Sequence, residues 1–207
     1  MIFILRSHLR MSSDQKMQDK EIVVLFNQMF QQTYNTHLIG GGGEPEYIPA
    51  NDRVSYHRII YTQDYSASAL HEIAHWCIAG QQRRLQQDYG YWYIPDGRNQ
   101  HQQVEFEWVE SKSQALEWIF AKACNHQFIV SVDNLDNAQS QFDGPSLNFK
   151  QNIVKHALRY CQGDLNTRAS LWSDALYRQC SLNDCVDGGS DSLHFLDSGH
   201  YCLEALG

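Results

Sequence analysis

The chain has 207 residues, 43% hydrophobic and 19% charged, with 16 Lys and Arg against 24 Asp and Glu for a formal net charge of −8. That length and composition fit one globular domain with a core of its own. The acidic balance argues against a general nucleic-acid binder and an anionic membrane surface, and suits a cationic substrate.

Ile2-Phe3-Ile4-Leu5 is too short for a signal-peptide core, and no apolar run is long enough to cross a bilayer. A soluble, cytoplasmic protein is therefore expected. Met11 and Met17 are candidate starts, so residues 1–16 are expected to be a disordered leader and 17–207 a single domain. Ile22, Leu25, Phe26, Met29, Phe30 and Tyr34 recur at three- and four-residue steps, the pattern of a helix with one buried face. Gly40-Gly41-Gly42-Gly43 is expected to end that element in a loop. Glu44-Pro45-Glu46-Tyr47-Ile48-Pro49 reads as an extended edge segment, because proline cannot donate to a ladder on both sides. Arg58-Ile59-Ile60-Tyr61 reads as a short strand. Asp64 or Ser66 is then expected to cap a helix that Gly80 stops.

Further on, Gln81–Asp88 is polar, and Tyr89-Gly90-Tyr91-Trp92-Tyr93-Ile94 reads as an aromatic strand before a turn at Pro95-Asp96-Gly97-Arg98. A long helix is expected over Gln103–Cys124, with Leu116, Ile119, Phe120 and Ala123 on one face. Phe128–Val132 reads as a strand, and two more helices follow at Ser146–Cys161 and Thr167–Gln179 before a tail broken by Gly and Ser. Six cysteines are present without a C-x-x-C pair, so reduced thiols are expected. The spacing of Cys180 and Cys185 lies outside the usual zinc knuckle. The expected class is α+β, a helix packed on a small sheet with a second long helix beside it.

The sequence turns on Ser68-Ala69-Leu70-His71-Glu72-Ile73-Ala74-His75-Trp76-Cys77-Ile78-Ala79-Gly80. At this composition, chance supplies about 0.02 H-E-x-x-H matches in the chain. Histidines four apart on a helix are rotated by about 40° and separated by about 6 Å along the axis. His71 and His75 can therefore converge on one metal ion with Glu72 beside them. A third ligand is expected from the next long helix, which offers Glu105, Glu107, Glu110 and Glu117. Glu110, in the middle of that helix, is preferred, and Glu107, three residues earlier, is the reserve.

Two chemistries compete for such a site. With zinc, the ion acidifies a bound water and Glu72 serves as the general base of a metallopeptidase. With ferrous iron, two histidines and one carboxylate form the facial set that activates oxygen. Residue type alone does not separate them. No histidine here is followed two positions later by Asp or Glu, so the H-x-[DE] pattern of jelly-roll oxygenases is absent. An oxygenase would have to build the facial set on another fold.

His71–Gly80, Gly90–Arg98 and Val109–Trp118, with Asp133-Asn134-Leu135 and Glu44-Pro45-x-Tyr47-x-Pro49, closely resemble the bacterial elongation factor P hydroxylases. The likeness is clearest over residues 17–160. The resemblance implies a zincin-like site and a metal-dependent monooxygenase. It would act on a lysine side chain, commonly β-lysylated, of elongation factor P as protein partner. It also implies Fe(II) as the cofactor, with zinc or another divalent ion as a substitute, and molecular oxygen as co-substrate. His71, His75 and Glu110 would be the ligands. Glu72 would be a proton carrier rather than a peptidase base. No direct nucleic-acid contact and no membrane are implied. For the lysine channel, Trp76, Tyr91, Trp92 and Tyr93 are candidate walls, and Glu44, Glu46 and Asp96 candidate charges.

Overall fold

The computed structural model describes residues 16–62, 65–90, 100–131, 145–181 and 196–206. Helix α1 (Asp19–Tyr34) turns its predicted apolar face inward through Ile22, Phe26 and Phe30. It ends at Asn35, whose left-handed backbone (φ 48°) stops the helix at a residue type that tolerates this conformation. Strands β1 (Thr36–Gly42), β2 (Glu46–Ile48) and β3 (His57–Thr62) form one small sheet in the order β1-β3-β2. β1 runs parallel to the central β3, and β2 antiparallel to it. Together with the helices this is the α+β class expected.

β1 corrects the expectation of a loop at the glycine run. Gly40 to Gly42 belong to the strand, and its register with β3 slips between Ile39 and Gly42. The glycines serve this bulge: Gly41 has φ +83°, and a Cβ on Gly42 would lie 2.6 Å from the Ile60 side chain and 3.0 Å from the Glu44 carbonyl. The outer edge of β1 is closed by Asn27 of α1, which donates to Leu38 O (3.1 Å) and accepts from Leu38 N (2.8 Å). A side-chain amide thus replaces a missing neighbouring strand.

Helix α2 (Ser66–Ile78) packs on β3 and buries Ala69, Leu70, Ile73, Ala74, Trp76 and Cys77. Its N-cap is Tyr65, not Asp64 or Ser66, and no side chain caps it. Asp64 lies outside the described residues. Tyr89 and Gly90 lie in a short 3-10 turn (Gln87–Gly90), not a strand. Residues 91–99, which include Tyr91, Trp92, Tyr93, Asp96 and the expected turn, are outside the description.

Helix α3 (Gln100–Ala123) runs through the middle of the domain between α2 and the pair α4 (Leu147–Arg159) and α5 (Thr167–Ser181). From Glu110 to Ala121 every residue except Lys112 is buried. A helix enclosed on all sides cannot expel its polar residues to water, so each must find a partner inside. Residues 128–131 are irregular rather than a strand, because Gln114 satisfies the backbone of Ser131 in both directions (2.8 and 3.2 Å). A side chain supplies what a ladder would have supplied. Ser146 caps α4 by accepting from Phe149 N (3.0 Å).

The core is aromatic. Trp76 is fully buried, with ring centroids of Phe26, Phe30 and Tyr34 at 5.2, 5.0 and 5.4 Å, while Trp172 closes on Phe26 at 5.6 Å. Each such side chain contributes about 1.5–3 kcal/mol through burial. Trp76 is therefore core and not a substrate-channel wall. Cys77, Cys124, Cys161, Cys180 and Cys202 are free thiols, and Cys185 lies outside the described residues.

Candidate metal centre

His71 and His75 project from one side of α2 toward α3, where Glu110 faces both. The two Nε2 atoms are 3.0 Å apart, Glu110 Oε2 is 3.5 Å from His71 Nε2, and Glu110 Oε1 is 3.2 Å from His75 Nε2. Among the described residues these three form the one group of His, Cys, Asp or Glu side chains close enough to share an ion. Donors held about 2.1 Å from a common ion lie about 3.0 Å apart at right angles and about 3.4 Å apart at tetrahedral angles. The observed separations straddle both values.

The back of each ring is also engaged. Glu117 Oε2 lies 2.8 Å from His71 Nδ1, and Ser113 Oγ lies 3.2 Å from His75 Nδ1. Glu110, Ser113 and Glu117 fall at i, i+3 and i+7 on α3, so one face of one helix supplies all three groups. With a proton on each Nδ1 and none on Nε2, two lone pairs and a carboxylate point at one spot. That arrangement repels itself unless a cation sits at the centre. The residues present therefore fit a divalent metal, with outward ring nitrogens anchored as metal-bound histidines require.

Without an ion, protons take the cation's place. Burial alone would lower the His71 pKa, but the Glu117 hydrogen bond and charge, followed by Glu110 and Glu72, lift it to about 10. Burial would raise Glu110, yet the charge and hydrogen bond of His75, then His71 and Gln114, hold it at about 2. Glu72 shifts upward because burial outweighs the attraction of His71 and His75, with Glu110 and Asp88 adding repulsion. No described side chain donates a hydrogen bond to it. It borders the cluster without joining it.

Of the other candidate residues, Glu107 faces away: it accepts from Gln103 (3.2 Å) and from Ser146 (3.1 Å) at the start of α4. Glu46 takes a hydrogen bond from Gln87, and Glu44 is exposed. The sequence offers Glu117 only as one of four possible ligands and gives Ser113 no part; neither is read there as the partner of a histidine. Their signal is spacing alone: polar residues three and seven positions after a candidate ligand, and so on its face of the helix.

The geometry defines a class: an α+β protein with a candidate two-histidine, one-carboxylate metal centre shared by neighbouring helices. The sequence profile of elongation factor P hydroxylase matches residues 25–186. The elongation factor P lysine hydroxylase of Haemophilus influenzae is 44% identical over 168 residues, covering 81% of this chain and 92% of that protein. The chain belongs to the elongation factor P hydroxylase family. The match passes residue 160, where the resemblance read from the motifs weakens, and takes in all of α4 and α5. Neither comparison supports a metallopeptidase.

Proposed function

We propose that this chain is a metal-dependent monooxygenase that hydroxylates a lysine side chain of elongation factor P, with His71, His75 and Glu110 as ligands of Fe(II) in a zincin-like site. The convergence of two imidazole Nε2 atoms and one carboxylate, on a chain of this family, carries the reading. A ferrous ion in that set supplies oxygen activation when bound, the chemistry of the facial two-histidine, one-carboxylate class.

The chain's own groups do the rest. Glu117 and Ser113 fix the tilt and protonation of the two rings, which sets the direction of the lone pairs. Gln114 steadies Glu110 by hydrogen bonding. Burial raises the pKa of Glu72, and its place beside the cluster suits the role of proton carrier. Inserting one oxygen atom from O2 into a C–H bond releases the other as water, and consumes two electrons and two protons from a donor. The net charge of −8 favours approach of a cationic lysine segment.

The test is the mass of elongation factor P from cells with and without this gene. Loss of one oxygen atom on deletion is expected. An unchanged mass rejects the proposal.

A further inference from the structure

A second set of side chains gathers at the C-terminal end of α2, around a cleft that none of His71, His75 and Glu110 lines. An open cleft of about 350 Å³ is lined there by Tyr34, Ala79, Arg84, Asn166 and Arg168, among others. Arg168 donates to three carbonyls of the last turn of α2 and its C-cap, those of Trp76 (3.1 Å), Cys77 (2.8 Å) and Ala79 (2.7 Å). Its guanidinium lies over the Trp76 ring, 4.8 Å from the centroid. Arg84 donates to the same Ala79 oxygen, also at 2.7 Å. The two donor nitrogens are thus no further apart than twice that distance.

Capping a helix C-terminus needs about half a charge. Two guanidinium charges are gathered here, and neither has a carboxylate partner among the described residues. The Nε of Arg168 is buried with no hydrogen-bond acceptor. Burial, and then repulsion from Arg84, lower the pKa of Arg168. The first turn of α5 also borders the cleft through Thr167 and Arg168, with Asn166 Oδ1 already capping the Ala169 amide (3.1 Å). The cleft is therefore richer in hydrogen-bond donors and positive charge than its structural task requires.

We propose that this cleft binds a small oxyanion, a carboxylate or phosphate group, between the free N–H groups of Arg84 and Arg168. The anion completes a positive pair that the described residues leave uncompensated, in the forked geometry that guanidinium groups favour. The cleft is separate from the lysine-modifying centre, so the proposal stands whether or not the proposed reaction is correct.

Calorimetric titration of the full-length protein with inorganic phosphate, and separately with acetate, at ionic strength fixed by sodium chloride, tests it. Saturable one-to-one binding is expected, weakened at least about tenfold by Arg84→Gln. Arg84 is the variant of choice because Arg168 holds three carbonyls. If Arg84→Gln does not fold, Arg84→Lys carries the same test, since it keeps the charge but not the fork. Binding of phosphate alone assigns a phosphate ligand, and binding of acetate assigns a carboxylate. No saturable binding of either, or binding that the Arg84 variant leaves unchanged, overturns the proposal.

Discussion

Glu117 holds the far side of the ring whose near side faces the candidate metal position: its carboxylate is 2.8 Å from Nδ1 of His71. Glu117 is buried and His71 mostly so, which largely shields the contact from water. Glu117→Gln is expected to weaken metal binding by about 10–100-fold while the fold persists. Ser113→Ala, which removes a neutral partner of His75, should cost less. Metal titration of the two variants checks the order.

Glu110 and Glu107 lie one helical turn apart with opposite surroundings. Glu110→Ala is expected to abolish metal binding and hydroxylation together, as are His71→Ala and His75→Ala. Glu107→Ala should retain both and cost about 1 kcal/mol or less of stability through lost contact with Ser146. Metal content and thermal melts of the four variants separate these outcomes.

Metal removal leaves the cluster to protons, and its stability then follows pH. Against the effect of burial, Glu117 raises folded His71 from 6.5 to about 10. Its contribution is complete below pH 6.5 and is lost as pH rises through about 10. His75 brings Glu110 down from 4.5 to about 2, also against burial, so its contribution is present above 4.5 and lost as pH falls through about 2. The metal-free protein should therefore be most stable between these limits, and a metal should displace a proton on binding. Denaturation of the metal-free protein across pH, with proton release on metal addition, measures both.

Arg168 is the clasp at the end of the histidine helix. Arg168→Ala leaves the Trp76 carbonyl without its side-chain donor, removes one of two donors at Cys77 (Asn166 remains) and at Ala79 (Arg84 remains), and exposes the Trp76 face, so a loss of about 1–3 kcal/mol is expected. Arg168→Lys should recover only part, lacking the planar fork. Urea denaturation gives both numbers.

The meeting of His71 and His75 was legible because H-E-x-x-H fixes its own geometry, and Glu110 because it sits mid-helix beside the amphipathic segment that docks on the core. Glu117 and Ser113 were not, because their function depends on which face of α3 meets α2, a tertiary fact. The glycine-rich strand was hidden because glycine usually marks a loop; here it serves a bulge pressed against Ile60. The expected strand at Phe128–Val132 failed for the complementary reason. Residues 128–131 are apolar enough, but Gln114 satisfies Ser131, and Phe128 stacks on Trp118 with centroids 5.5 Å apart. Trp76 followed the usual rule for a tryptophan in an amphipathic helix and went to the core.

The most direct test is intact-mass analysis of lysine-modified elongation factor P incubated in air with the iron-loaded protein and a reductant. A gain of one oxygen atom on that lysine is expected, and no gain with the His75→Ala variant. An unchanged mass with the iron-loaded protein, or an equal gain with the variant, contradicts the account.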